Sequence, residues 1–168
     1  GNSPIIISAP HGGYLLPPSL ADRTYGVLLP DRRTQELARE IADAIAVYTG
    51  QRPHLIISHL SRLKLDPNRE IVEAAQGDPQ AEIAWNEFHG FLTTATTTVT
   101  AQHGRGLLLD IHGHSHPIDR LELGYALTAA SLALPDSTLN DPAIIDTTTI
   151  RSLASQPGAY FPEILRGA

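Results

Sequence analysis

Residues 106–120 read "GLLLDIHGHSHPIDR", an aliphatic run that ends in an aspartate and three alternating histidines. Continuous aliphatic residues, rather than alternating ones, mark a strand buried on both faces, as in a parallel sheet. Neither strand nor turn chemistry asks for His112, His114 and His116 directly behind it. A neutral imidazole binds zinc, and a nearby carboxylate such as Asp110 orients the ring and raises its basicity. On an extended chain the three histidines share one side, because side chains alternate with period two. Gly113 and Pro117 favour a bend instead, with one or two of the three converging on a site. The competing reading is a histidine-rich surface loop without function.

Two other aliphatic runs lead into polar loops. "PIIIS" at 4–8 enters the Gly/Pro loop "APHGGYLLPP", and "HLIIS" at 54–58 enters the basic loop "HLSRLKLDPNRE". Between them, Leu37, Ile41, Ala44, Ile45 and Tyr48 recur at three and four, which predicts an amphipathic helix over 33–49 with Gly50 as its cap. Asp78-Pro79 reads as a helix start, with Ile83, Trp85, Phe88, Phe91 and Leu92 along the helix that follows. Its tail, "TTATTTVTAQHG", is poor helix material because threonine loses side-chain freedom there. "LELGYALTA" at 121–129 is read as a further strand, 131–147 as a loop, and 148–155 and 159–166 as short helices. Strands alternating with helices predict an α/β fold with a largely parallel sheet. In such sheets ligands sit beyond the carboxyl ends of the strands.

The 168 residues fit one domain over 1–168. A net charge of -6 with both signs interspersed argues against a nucleic-acid partner. No apolar run approaches the roughly 18–20 residues of a membrane span. With no cysteine there is no disulfide framework and no thiolate ligand or nucleophile. The chain opens almost directly on a strand and lacks an initial Met; removal of a signal peptide from a secreted protein and a trimmed start fit this equally.

The loops carry the chemistry. In "SAPHGG", His11 follows a strand and two glycines allow close approach of backbone or ligand; a turn with a surface histidine is the alternative. In "SRLKLDPNRE", Arg62, Lys64 and Arg69 surround Asp66 and Asn68, equipment for gripping a carboxylate at two points. A solvated basic turn, with Asp66 pairing locally to an arginine, is the alternative. Asp31 and Glu36 flank a helix start, where acids also suit the dipole.

Taken together and in this order, "SAPHGG", "PDRRTQELA", "SRLKLDPNRE" and "LLLDIHGHSH" resemble the N-formylglutamate amidohydrolase family, over roughly residues 5–125. That family looks related in fold to zinc carboxypeptidases and aspartoacylases. The resemblance implies a three-layer α/β domain, with a mostly parallel or mixed central sheet and helices on both faces. It also implies a Zn2+-dependent hydrolase cleaving the amide of an N-acylated, N-formyl, acidic amino acid. Carried over by motif, His11 and His112 match the metal-binding histidines, and Asp31 is the expected carboxylate ligand with Glu36 as the substitute. Asn68 and Arg69 match a pair that holds a substrate carboxylate, with Arg62 beside them. Asp110 would stand behind His112, and His114 would line the pocket. The family's late general-base glutamate has no counterpart after residue 126, so the domain is expected to be incomplete at its C-terminal end. Glu122, Glu163 and His114 are the available stand-ins. Two further readings stay open: a metal- and carboxylate-binding module without turnover, and a carboxypeptidase-like metallopeptidase. All three imply a small acylated amino acid or short peptide as partner, with no nucleic acid and no membrane.

Overall fold

The three aliphatic runs pair as a parallel sheet. Ile5–Ala9 (β1) lies in the middle, with His54–Ile57 (β2) on one side and Leu107–Asp110 (β3) on the other. Helices Thr34–Thr49 (α1), Ile71–Ala75 (α2) and Pro79–His103 (α3) complete the first of two compact units, Gly1–Ser115. The computed structural model describes residues 1–166. The second compact unit is His116–Ala168.

Alternation along β1 and β2 distributes the core. Ile6 and Ile56 project to one face, under Phe88, Ala95 and Val99 of α3. Ile7 and Ala9 project to the other, against Ala38 and Ala42 of α1. The sheet therefore carries a helix on each face, as an α/β fold requires. Full burial of a side chain such as Ile7 contributes about 1.5–3 kcal/mol.

The expected stripe on α1 is rotated. Leu37 and Tyr48 are exposed, and small Ala38 and Ala42 make the buried contact, flanked by Ile41 and Ile45. Alanine brings the helix axis close to the sheet, which a leucine at that position would prevent. Gly50 does close the helix, in the left-handed region at φ 72°. Similarly, Ile83 and Phe91 of α3 are exposed, and Phe88, Ala95 and Val99 are its buried face.

The threonine-rich tail of α3 stays helical to His103. Val99 and Ala95 hold it to the sheet. Thr94 and Thr98 hydroxyls donate to the carbonyls of Gly90 and Thr94, both at 2.8 Å, so their polar groups are satisfied on the helix itself.

At the other end, Asp78 Oδ1 accepts from the N–H groups of Gln80 at 2.8 Å and Ala81 at 3.0 Å, with Pro79 at the first helical position. Its Oδ2 accepts from Ala21 N–H at 2.6 Å, tying a distant loop to the cap. Those bonds, Ala21's first, lower the Asp78 pKa. A folded pKa below the unfolded one gives stability that is present above the unfolded value and is lost as pH falls through the folded one. Asp78→Ala is expected to lower Tm by a few degrees at pH 7, with the gap narrowing as pH falls below the unfolded value of about 4. Thermal scans at neutral and acid pH check this.

β3 departs from expectation. It is an edge strand, and Leu107 and Leu108 are each 51% exposed instead of buried. An apolar run reports the capacity to be covered, not the presence of a cover.

In the second unit the strand expected at 121–129 does not form. Ala126 takes φ 62°, in the left-handed region, which interrupts extended backbone. Residues 131–147, read as a loop, contain helical turns. The described turns are Ala129–Leu132 (α4), Asp136–Leu139 (α5), Pro142–Ile145 (α6), Arg151–Ala154 (α7) and Phe161–Arg166 (α8). The last two agree with the helices expected at 148–155 and 159–166. Leu139, Thr148 and Phe161 are the buried centre of this unit, and Asn140 Oδ1 accepts the Phe161 N–H at 3.1 Å.

No helix among the described residues is long and apolar enough to cross a membrane.

Candidate metal centre

The strand ends of the first unit bring His11, Asp31 and His112 together, each offering one ligand atom. His11 lies two residues past β1 and His112 two past β3. Asp31 arrives on the loop before α1, fixed by its N–H donating to His11 O at 2.9 Å. The two glycines after His11 permit this approach. A Cβ on Gly12 would collide with Thr34 and Gln35, and one on Gly13 with the backbone of His59 and Leu60.

Asp31 is not the cap of α1. That position falls to Arg33, with no side-chain cap, while Thr34 Oγ1 donates to Asp31 O at 2.9 Å. The Asp31 carboxylate is thereby released to face the histidines. Its Oδ2 also accepts the Gly113 N–H at 3.0 Å. Glu36 sits on an exposed part of the first turn of α1 and is not in the cluster.

The geometry matches a tetrahedral metal. His11 Nδ1 and His112 Nδ1 are 3.2 Å apart, and Asp31 Oδ2 is 3.4 Å from the first and 3.2 Å from the second. Ligand bonds of about 2.0–2.1 Å at tetrahedral angles place ligand atoms about 3.3 Å apart. Three such atoms occupy one face of the tetrahedron and leave its fourth vertex open.

Both imidazoles are oriented from behind. His11 Nε2 meets Asp66 Oδ1 at 2.7 Å, and His112 Nε2 meets Asp110 Oδ2 at 2.8 Å. In the tautomer that carries its proton on Nε2, facing the carboxylate, each imidazole keeps the Nδ1 lone pair for a metal. Two ring nitrogens and a carboxylate oxygen then lie 3.2–3.4 Å apart, a donor set that could hold a metal ion.

Asp66 was legible only as an acid in a basic loop, pairing locally to an arginine. The structure makes it the most deeply placed group of the site. It is fully buried, accepts Arg62 Nε at 2.8 Å, and lies 3.8 Å from Arg23 Nη1. Burial pushes its pKa up, but hydrogen bonds from His11 and Arg62 and their charges outweigh it, leaving the carboxyl well below its usual range. Arg23, itself buried, donates to the carbonyls of Arg62 at 2.8 Å and Val27 at 3.0 Å, binding the two loops together.

Arg62 and Asn68, expected to face a substrate carboxylate, engage carboxylates of the chain itself. Arg62 is 7% exposed and reaches Asp31 Oδ1 at 3.4 Å as well as Asp66. Asn68 Nδ2 donates to Asp110 Oδ2 at 2.7 Å, beside the His112 ring. Ser8, opposite Asp110 in the sheet, donates to its Oδ1 at 2.5 Å. Burial raises the Asp110 pKa, and the bonds from His112, Ser8 and Asn68 together lower it by more. In return the Asp110 bond, opposed by burial and aided by Asp31, raises the pKa of His112. A proton and a cation thus compete for the same imidazole.

Arg69 is the solvent-facing member of the expected anchoring pair. Its side chain is 45% exposed, with Nε 3.4 Å from Glu73 Oε1. The turn beneath it is fixed to α3, with Trp85 Nε1 donating to Arg69 O at 2.9 Å and the His89 ring against Pro67 O at 3.0 Å. His114 is exposed, two residues past His112.

Glu122 belongs to the second unit, where its Oε1 meets His116 Nδ1 and Arg120 Nε, both at 2.7 Å. These bonds, that of His116 first, lower its pKa to about 2. Glu163 lies in the first turn of α8 and is exposed.

No family model, no curated protein and no solved structure matches this chain.

Proposed function

We propose that the chain is a zinc-dependent amide hydrolase acting on an N-acylated acidic amino acid, of the N-formylglutamate amidohydrolase kind, with the zinc-carboxypeptidase-like fold that this kinship implies. The observation that carries the reading is the triangle of His11 Nδ1, His112 Nδ1 and Asp31 Oδ2, with a carboxylate behind each imidazole. These three atoms would hold the zinc, which when bound would supply Lewis acidity for an amide carbonyl and for a water molecule.

The chain's own residues supply position. Asp66 and Asp110 keep both Nδ1 lone pairs on the centre, and Arg62 holds the second oxygen of Asp31 so that one oxygen remains for the ion. Arg69, exposed and one residue beyond Asn68, takes the substrate carboxylate. Placing the amide beside the centre in this way contributes several kcal/mol towards the barrier.

The test is hydrolysis of N-formylglutamate by the zinc-loaded chain, compared with short peptides bearing a free C-terminus. Turnover of the former, abolished by chelation, is the expected result. Preference for peptides would make the chain a carboxypeptidase-like metallopeptidase. Arg69→Ala is expected to raise KM for an acidic substrate about tenfold, the discounted value of a charge-assisted bond at a partly exposed site, with kcat changed less. An unchanged KM would remove Arg69 from substrate binding.

One observation favours a second reading, a metal- and carboxylate-binding module without turnover. Asp31, Asp66 and Asp110 each already hold at least two neighbours, so none stands ready as a general base. Binding of N-formylglutamate to the zinc-loaded chain without hydrolysis would select it.

A further inference from the structure

On the β2 side, away from the metal ligands, the first unit contains a groove with a cavity volume of about 650 Å³. That is within the roughly 300–1,000 Å³ of ligand-binding clefts. Its floor is the outer edge of β2, its wall on one side is α3 through Phe88, Phe91 and Ala95, and Arg39 of α1 lines the other side.

The backbone at the floor is unpaired. β2 has β1 on one side only. Ser58 N–H donates to Ala9 O, so the two-residue alternation of a strand turns the N–H and C=O groups of Leu55 and Ile57 outward. No other bond reaches them among the described residues. At the start of the strand, His54 Nε2 is buried without a hydrogen-bond partner. A buried polar atom of that kind is rare in native proteins and marks a place where a partner belongs.

We propose that this groove binds an extended peptide segment as a fourth strand, with apolar side chains towards α3 and acidic ones towards Arg39. Only another strand offers donors and acceptors at the two-residue spacing of Leu55 and Ile57. Its side chains alternate between the two faces. One set meets Phe88, Phe91 and Ala95, where Phe91 is 62% exposed. The other set meets Arg39, which has no ion-pair partner among the described residues. The inference is independent of the metal centre, because none of its ligands lines the groove.

Fluorescence anisotropy with a labelled five-residue peptide of alternating valine and aspartate tests it on the whole chain. Saturable binding at roughly 10–100 µM is expected. Phe91→Glu and Arg39→Glu, both at exposed positions and checked for unchanged circular dichroism, should each weaken it about tenfold or more. N-methylation of alternate peptide amides should do the same, since it removes the ladder donors, and exchanging aspartate for lysine should also weaken binding. Absence of saturable binding, or binding indifferent to these changes, would overturn the proposal. So would dimerisation of the chain that Phe91→Glu abolishes, which would make a second copy the occupant.

Discussion

Asp66→Ala is expected to destabilise the folded chain by about 3–5 kcal/mol, the cost of removing one partner from a buried ionic network. The magnitude follows from what the substitution strands. Arg62, 7% exposed, and Arg23, 2% exposed, would keep their charges without the buried carboxylate between them, and His11 would lose its Nε2 partner. Replacing the whole network by apolar residues would be milder, because no charge would then be left alone. Denaturant titration at pH 7 measures the difference, and a loss below about 1 kcal/mol would show that the network is not needed for folding.

The pH dependence gives this prediction a sign. The folded pKa of Asp66 is depressed, so its contribution is complete above the unfolded value near 4 and disappears as pH falls towards the folded one. The gap between the parent chain and Asp66→Ala should therefore narrow below about pH 4. A gap that widened in acid would contradict the assigned ionisation.

The second large effect separates two acids that the sequence left in competition. Asp31→Ala is expected to cost more zinc affinity than the roughly 100-fold that loss of an outer partner can cost, because it removes a ligand atom. Glu36→Ala should leave affinity unchanged. The distinction rests on Asp31 Oδ2 lying 3.2 and 3.4 Å from the two histidine nitrogens, while Glu36 is outside the cluster. Equilibrium competition with a chromogenic chelator reads both. The reverse order would move the ligand to Glu36 and would require the start of α1 to rearrange.

Several of these features are legible in the sequence. The aliphatic runs at 4–8, 54–58 and 106–111 predict a parallel sheet, which forms over 5–9, 54–57 and 107–110, and the polar loop after each run marks the edge where the candidate site lies. Asp78-Pro79 and Gly50 placed helix ends, because capping chemistry is local. The partnership of His11 with Asp66 spans 55 residues and leaves no local trace. The available clue was an acid enclosed by three cations in the loop after β2, which suits burial as well as solvation. Arg62 and Asn68 illustrate the same limit, since donors suited to a substrate carboxylate suit the chain's own equally well. Propensity failed at 121–129, where one left-handed residue, Ala126, ends the extended run. It also overstated the burial of β3, since edge or centre is a property of the sheet and not of the strand.

The most direct test of the metal centre is elemental analysis of the purified chain, supplied with zinc and dialysed, beside its His112→Ala variant. About one zinc per chain, lost in the variant, is the result that the convergence of His11, Asp31 and His112 predicts. No bound metal in either protein, or equal zinc in both, would contradict it.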